Sequence, residues 1–234
     1  MSFFLTLVCP TLDLSEAWKA LASCEVAKKM GMILGKIDVE QYAFEKLGTV
    51  GVAELRRYAP VVAVETPCDN THGEASNGAF RRLAQYIGVF GVPANAARSQ
   101  IAMTAPVVNA PRKIAMTAPV VSAAATMAFL LPASIRRVED APAPTDPLVS
   151  LRAVGSRTMA ALTFSGSAGT DAVALKAKAL RQALVEAKLL TAEEAEATPF
   201  ELARFNPPFT LPPLRTNEIM IPVDDAAASR VCES

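Results

Sequence analysis

Residues 55–64, LRRYAPVVAV, and residues 151–162, LRAVGSRTMAAL, open on the same Leu-Arg pair, turn a small-residue corner and continue as an apolar run. The corner in the first is Ala59-Pro60, so residues 48–65 read as two extended pieces folded about that dipeptide. Residues 148–152 and 157–164 read as a second strand pair. A helix follows each. Phe80, Leu83, Ala84 and Ile87 recur at i, i+3, i+4 and i+7, with Arg81, Arg82 and Gln85 on the flanks. Residues 67–79 are dense in turn formers and read as the loop before it, while Gly88, Gly91 and Pro93 close it. The second helix is expected over residues 172–189, with Val173, Ala177, Leu180 and Leu184 as its stripe and Thr170 or Asp171 as its cap. Each helix leads to a further strand. In 125–132, ATMAFLLP, Met127, Phe129 and Leu131 alternate, and residues 217–223 close the second cycle. Strand, strand, helix, strand thus occurs twice. That order predicts an α+β domain in which a duplicated half builds a pseudo-symmetric barrel.

The chain has 234 residues, half of them apolar, with 23 basic and 23 acidic side chains. Such a balance offers no cationic surface for displacing counterions, so nucleic acid is not expected as a partner. No apolar run reaches the roughly 18 residues of a membrane span, and the start, MSFFLTLVCP, lacks the flanks of a signal peptide. Cys9, Cys24, Cys68 and Cys232 are scattered, which suits reduced thiols in a cytoplasmic compartment, with a plastid as the alternative. Residues 12–34 read as a helix: Asp13 and Glu16 form a capping box, and Leu14, Trp18, Leu21 and Cys24 share a face. The expected organisation is an N-terminal helical extension over 1–45, a core domain over 46–225 and a tail over 226–234. The extension is the candidate contact for a protein partner or for self-association.

Residues 101–107, IAMTAPV, return at 114–120. Pro106 and Pro119 lack an N–H, which confines them to strand ends or bulges. Met103 and Met116 suit irregular apolar gaps. No catalytic motif is present: H-E-x-x-H, G-x-S-x-G and the P-loop are missing, and His72 is the one histidine. The acidic run 192–197, AEEAEA, reads as a solvated helix tail.

Five separated motifs resemble one family. KIAMTAPV (113–120), preceded by FRRLAQYIGVFGVPAN (80–95), joins ELRRYAPVVAVET (54–66), the APAPTDPLVSL loop and strand (141–151), MAALTFSG (159–166) and NPPF…LRTNEIMIPV (206–223) in resembling the SOUL/heme-binding proteins over residues 48–223. The doubled phrase is similar to plant-type and bacterial-type members. The resemblance implies a distorted β-barrel of two pseudo-symmetric halves flanked by two helices, which agrees with the two cycles. It also implies binding of haem or a related tetrapyrrole in an apolar cleft beside the first helix. A macrocycle buries a wide apolar face while its carboxylates seek cations at the rim. Carried onto this chain, the cleft positions are Asn77, Phe80, Ala84 and Gln85, closed on the far side by Phe209 to Arg215. Where family members carry basic residues, Asn77 and Gln85 stand here, leaving Arg81 or Arg82 as the nearest cations. His72 is the candidate axial ligand, with Tyr58, Met103 and Met116 behind it and Cys9-Pro10 as a thiolate alternative. Arg57 occupies the position where some relatives place a histidine. The expected role is a soluble carrier, buffer or sensor of a small-molecule tetrapyrrole; an enzyme degrading haem or removing its metal is the alternative.

Overall fold

The structure, a computed structural model, describes residues 34–68, 74–111, 125–207 and 209–232. The expected helix over 12–34, save its last residue, and the second copy of the doubled phrase, with Met116, lie outside the described residues, as do Cys9, Cys24 and His72. No helix among the described residues is long and apolar enough to cross a membrane.

Among the described residues eleven strands and four α-helices follow one another in chain order: β1 Glu40–Gln41, β2 Phe44–Val50, β3 Ala53–Tyr58, β4 Val61–Cys68, α1 Glu74–Ile87, β5 Thr104–Ala105, β6 Val107–Pro111 and β7 Ala125–Leu130 come first. β8 Ser150–Val154, β9 Arg157–Ser165, α2 Thr170–Glu186, α3 Ala192–Ala197, β10 Glu201–Arg204, β11 Thr216–Pro222 and α4 Asp225–Cys232 complete the chain. Nine strands form one antiparallel sheet in the order β2-β3-β9-β11-β10-β6-β7-β4-β8, and β1 pairs with β5 apart from it.

The duplication is written into that order. When β3, β4, α1, β6 and β7 are matched with β8, β9, α2, β10 and β11, the sheet from β3 to β8 reads the same in both directions. The pseudo-twofold axis passes between Leu202 and Asn109, which are register partners across β10 and β6. Strand registers agree in detail: Arg56↔Met159 in the β3–β9 ladder answers to Arg152↔Ala63 in the β8–β4 ladder. Of the nine strands in this sheet, β2 alone has no counterpart.

The barrel expectation needs correcting. β2 pairs only with β3 and β8 only with β4, so the sheet stays open. Closure would require β2 to bond β8. Instead β2 is a mostly exposed edge carrying Glu45 and Lys46, charges that discourage further pairing. The two expected strand pairs are also corrected, because the strands around each corner do not bond each other. β3 joins β9 and β4 joins β8, so the halves exchange strands. Two-residue corners such as Ala59-Pro60 carry the chain from one ladder to the next instead of closing a hairpin.

α1 begins at Glu74, inside the expected loop, and α2 is capped by Gly169 rather than Thr170 or Asp171. The helix stripes are buried as the periodicity required. Leu83, Ala84 and Ile87 pack with Val62, Val64 and Phe129 into one core, with half-buried Phe80 at its edge. Val173, Ala177, Leu180 and Leu184 pack with Leu55, Leu162 and Ile219 into the other. The acidic run 192–197 is a separate short helix, α3, closed by a Thr191–Glu194 capping box. The end of the chain is a helix too: α4 covers most of the expected tail, and Thr158 and Arg57 tie its first residue, Asp225, to the sheet.

Gly88 ends α1 at φ +86, and a Cβ there would lie 2.6 Å from Pro93 Cγ. Gly88→Ala is therefore expected to cost about 1–3 kcal/mol from backbone strain and clash. A lower urea midpoint at unchanged slope is the expected readout. Beyond it, Tyr86 anchors the 141–147 loop by donating to the Pro142 carbonyl at 2.8 Å, and burial pushes its phenol up to about 12. Asn95 pins the intervening turn to the carbonyls of Tyr86 (2.8 Å) and Ser99 (2.9 Å).

Candidate functional site

α1 lies on β4 and β7, and the residues expected to line a cleft run along one edge of it. Phe80 is half-buried with its ring edge-on to Phe129, centroids 5.3 Å apart. Ala84 is fully buried and belongs to the core beneath the helix. Asn77, Arg81 and Gln85, spaced by four, are exposed. Of the two arginines considered for ligand carboxylates, Arg82 folds back onto the sheet, donating to Thr66 Oγ1 at 3.0 Å and the Pro67 carbonyl at 2.9 Å. Arg81 reaches solvent instead. The loop after the helix exposes Val89, Phe90 and Val92. Phe209 is 55% exposed, and Arg215 donates to the Thr210 carbonyl within its own loop. The α1 residues therefore come together on one helix edge, while Phe209 and Arg215 sit in a separate loop at the end of β10.

Tyr58 and Arg57 occupy opposite faces of β3. Arg57 bonds Glu45 at 3.2 Å and Asp225 at 2.9 Å, which outweigh desolvation and raise its pKa. Tyr58, one of the axial candidates, lies on the sheet face turned away from the helices, and the sequence reading placed none of its cleft residues there. A recess of about 160 Å³ opens there, lined by Tyr42, Phe44, Arg56, Tyr58, Glu218 and Met220 among others. Arg56 is nearly buried, bonds both Glu218 oxygens at 2.9 and 3.0 Å, and bonds Glu54 at 2.7 Å. Burial opposes its charge, but Tyr58 and the two carboxylates prevail and hold the guanidinium protonated. The phenols of Tyr58 and Tyr42 are pushed up, chiefly by burial. Beside them Arg157 forms a two-pronged pair with Glu201 at 2.5 and 2.9 Å. One sequence signal could have located this face: Glu54, Arg56 and Tyr58 alternate with Ala53, Leu55 and Arg57, placing a polar and aromatic row opposite the core.

No group of three His, Cys, Asp or Glu able to hold an ion occurs among the described residues. Tyr58 Oη is engaged by Arg56 and Met220, and Met103 packs into the α1 core. What α1 offers is an apolar edge at Phe80 with the Arg81 cation alongside.

Fold and site define an internally duplicated α+β binding domain with its chemistry spread over two sheet faces. The profile of the SOUL heme-binding proteins matches residues 39–222, and the chain belongs to that family. Haem binding is the general property of the family. No curated protein matches the chain. Among solved structures, the EcmrR C-terminal domain is similar at 11% identity and a TM-score of 0.45, over 74% of this chain and 96% of that one. A hydrolase encoded by lin2189 from Listeria innocua is similar at 11% identity and a TM-score of 0.48, over 74% and 91%. The structure of SAV2435 bound to tetraphenylphosphonium follows at 13% identity and a TM-score of 0.39, over 74% and 94%. Likeness at this level carries no functional weight.

Proposed function

We propose that this chain binds haem or a related tetrapyrrole reversibly along the outer edge of α1, as a soluble carrier, buffer or sensor. The observation that carries the reading is the family match, which spans the whole duplicated domain. The chemistry of the edge supports it. Phe80 offers an aromatic face, and Val89, Phe90 and Val92, 46%, 57% and 76% exposed, extend the apolar surface past the helix end. Asn77, Arg81 and Gln85 give the same edge a polar border, with Arg81 the cation for a propionate. Binding carried chiefly by apolar contact favours exchange over permanent retention, which suits a carrier.

Titration with haemin tests this. A saturable 1:1 Soret shift is expected, weakened about tenfold or more in Phe80→Asp and less in Arg81→Glu, a difference of roughly 1.4 kcal/mol per tenfold. Phe90→Ser, at an exposed position, is expected to weaken binding without touching the core. No saturable shift, or a shift indifferent to all three substitutions, overturns the reading. Conversion of bound haem to a bile pigment with a reductant present would replace the carrier role by an enzymatic one.

A further inference from the structure

The two halves share a scaffold but have diverged on the sheet face opposite the helices. Strand registers make Tyr58 equivalent to Val154, Glu218 to Thr126, Met220 to Ala128, Arg157 to Val61 and Glu201 to Val108. In the first half that face is a small apolar cluster around Ala63, Val108, Ala128, Leu130 and Val154, with one solvent-exposed ion pair, Arg152–Glu65, beside it. In the second it carries two ion pairs and a tyrosine. The fold is therefore satisfied by uncharged small residues, four of them apolar and one a threonine, at these positions. A desolvated ion pair is in general no more stabilising than an apolar replacement of similar volume. β2, which has no counterpart in the other half, adds to the divergence: its Phe44 stands beside Tyr58 on this side, and the adjacent Tyr42 packs against both clusters. Polar and aromatic groups that the scaffold does not need, gathered round an open recess, mark a site.

We propose that this recess is a second ligand site, taking a small planar aromatic compound with an N–H donor, uncharged or singly positive, and rejecting anions. The walls are rings: Tyr42 and Tyr58 stack at 4.6 Å, and Phe44 stands 5.4 Å from Tyr58. The floor accepts hydrogen bonds. Glu218 Oε1 takes both Arg56 and Thr163 at 2.9 Å, whereas Oε2 takes Arg56 alone at 3.0 Å and keeps a lone pair for a ligand. Arg56 is held between two carboxylates, Glu218 and Glu54, and Lys46 balances Glu54 from the surface at 2.8 Å. With its cation already shared, the floor gives an incoming carboxylate nothing to bind. A volume of about 160 Å³ is below the roughly 300–1,000 Å³ of drug-sized sites, so one ring or a fused pair fits and a tetrapyrrole does not. The site is independent of the α1 edge and of the haem reading.

Calorimetric titration of the full chain with indole, benzamidine and benzoate provides the test. Saturable 1:1 binding is expected for indole and benzamidine and none for benzoate. Tyr58→Val and Glu218→Thr install the residues that the first half already carries. Each is expected to weaken binding at least tenfold while the haemin titration stays as in the parent protein. Phe44→Ala, on the exposed edge strand, provides a third variant whose folding is not at issue, with the same expected loss. The proposal is overturned if neither indole nor benzamidine saturates, if benzoate binds as tightly as they do, or if folded variants, checked by circular dichroism, bind like the parent.

Discussion

Arg56→Met is expected to destabilise the protein by about 3–5 kcal/mol, and Arg152→Met, at the pseudo-symmetric position, by less than about 1 kcal/mol. The two arginines occupy equivalent register positions in equivalent ladders. Their surroundings differ. The Arg56 side chain is 6% exposed and its partner Glu218 likewise 6%, whereas Arg152 is 52% exposed and pairs with Glu65 at 2.9 Å near solvent. Removing Arg56 leaves the Glu218 carboxylate desolvated with only Thr163 to answer it. Removing Arg152 leaves a carboxylate that water can reach. For a chain of this size the first change corresponds to a fall in Tm of roughly 6–20 °C, read by thermal or urea denaturation of both variants. Adding Glu218→Leu to Arg56→Met is expected to restore most of the loss, since the cost lies in the orphaned charge. Equal effects of the two single substitutions would mean that the Arg56 pair is not desolvated, and the divergence of the two faces would lose its energetic meaning.

This contrast also shows how far the sequence could be read. The helix stripes were legible because their signal is local: Phe80, Leu83, Ala84 and Ile87, or Val173, Ala177, Leu180 and Leu184, repeat within a dozen residues whatever the strands do. The similarity of residues 55–64 and 151–162 was enough to expose the duplication. Pairing was not legible. Strands meeting across a two-residue corner resemble a hairpin, and nothing nearby says that β3 bonds β9 while β4 bonds β8. Short or punctuated strands were lost as well: β6 is bounded by Pro106 and Pro111, β10 has four residues, and β2 alternates too weakly to stand out. The α1 edge could be proposed because a family resemblance pointed to one helix. The recess could not, since Arg56 and Glu218 meet across 162 residues of sequence. Only the alternation of Glu54, Arg56 and Tyr58 hinted at a charged face.

Strand exchange has a consequence for cooperativity. Leu83→Ala and Leu180→Ala each empty a fully buried position, in the α1 core and the α2 core respectively, and each is expected to cost about 2–5 kcal/mol. If each half were a unit, Leu83→Ala would loosen β4, α1, β6 and β7 and leave the second half intact. The cores are not built that way. Leu151 of β8, a second-half strand, packs against the α1 core, and Ala53 and Leu55 of β3, a first-half strand, lie inside the α2 core. β10 and β6 are bonded to each other along the pseudo-twofold axis, so the sheet has no break at the boundary between halves. Unfolding either half strips the other of a strand and part of its core, and a partly unfolded state would expose both. Each variant is therefore expected to unfold in one transition, with far-UV circular dichroism and tyrosine fluorescence coincident and the denaturant slope unchanged. Amide exchange should show protection of α2 falling in Leu83→Ala as far as that of α1. Two separated transitions, or α2 protection that survives Leu83→Ala, would show that the exchanged strands do not couple the halves.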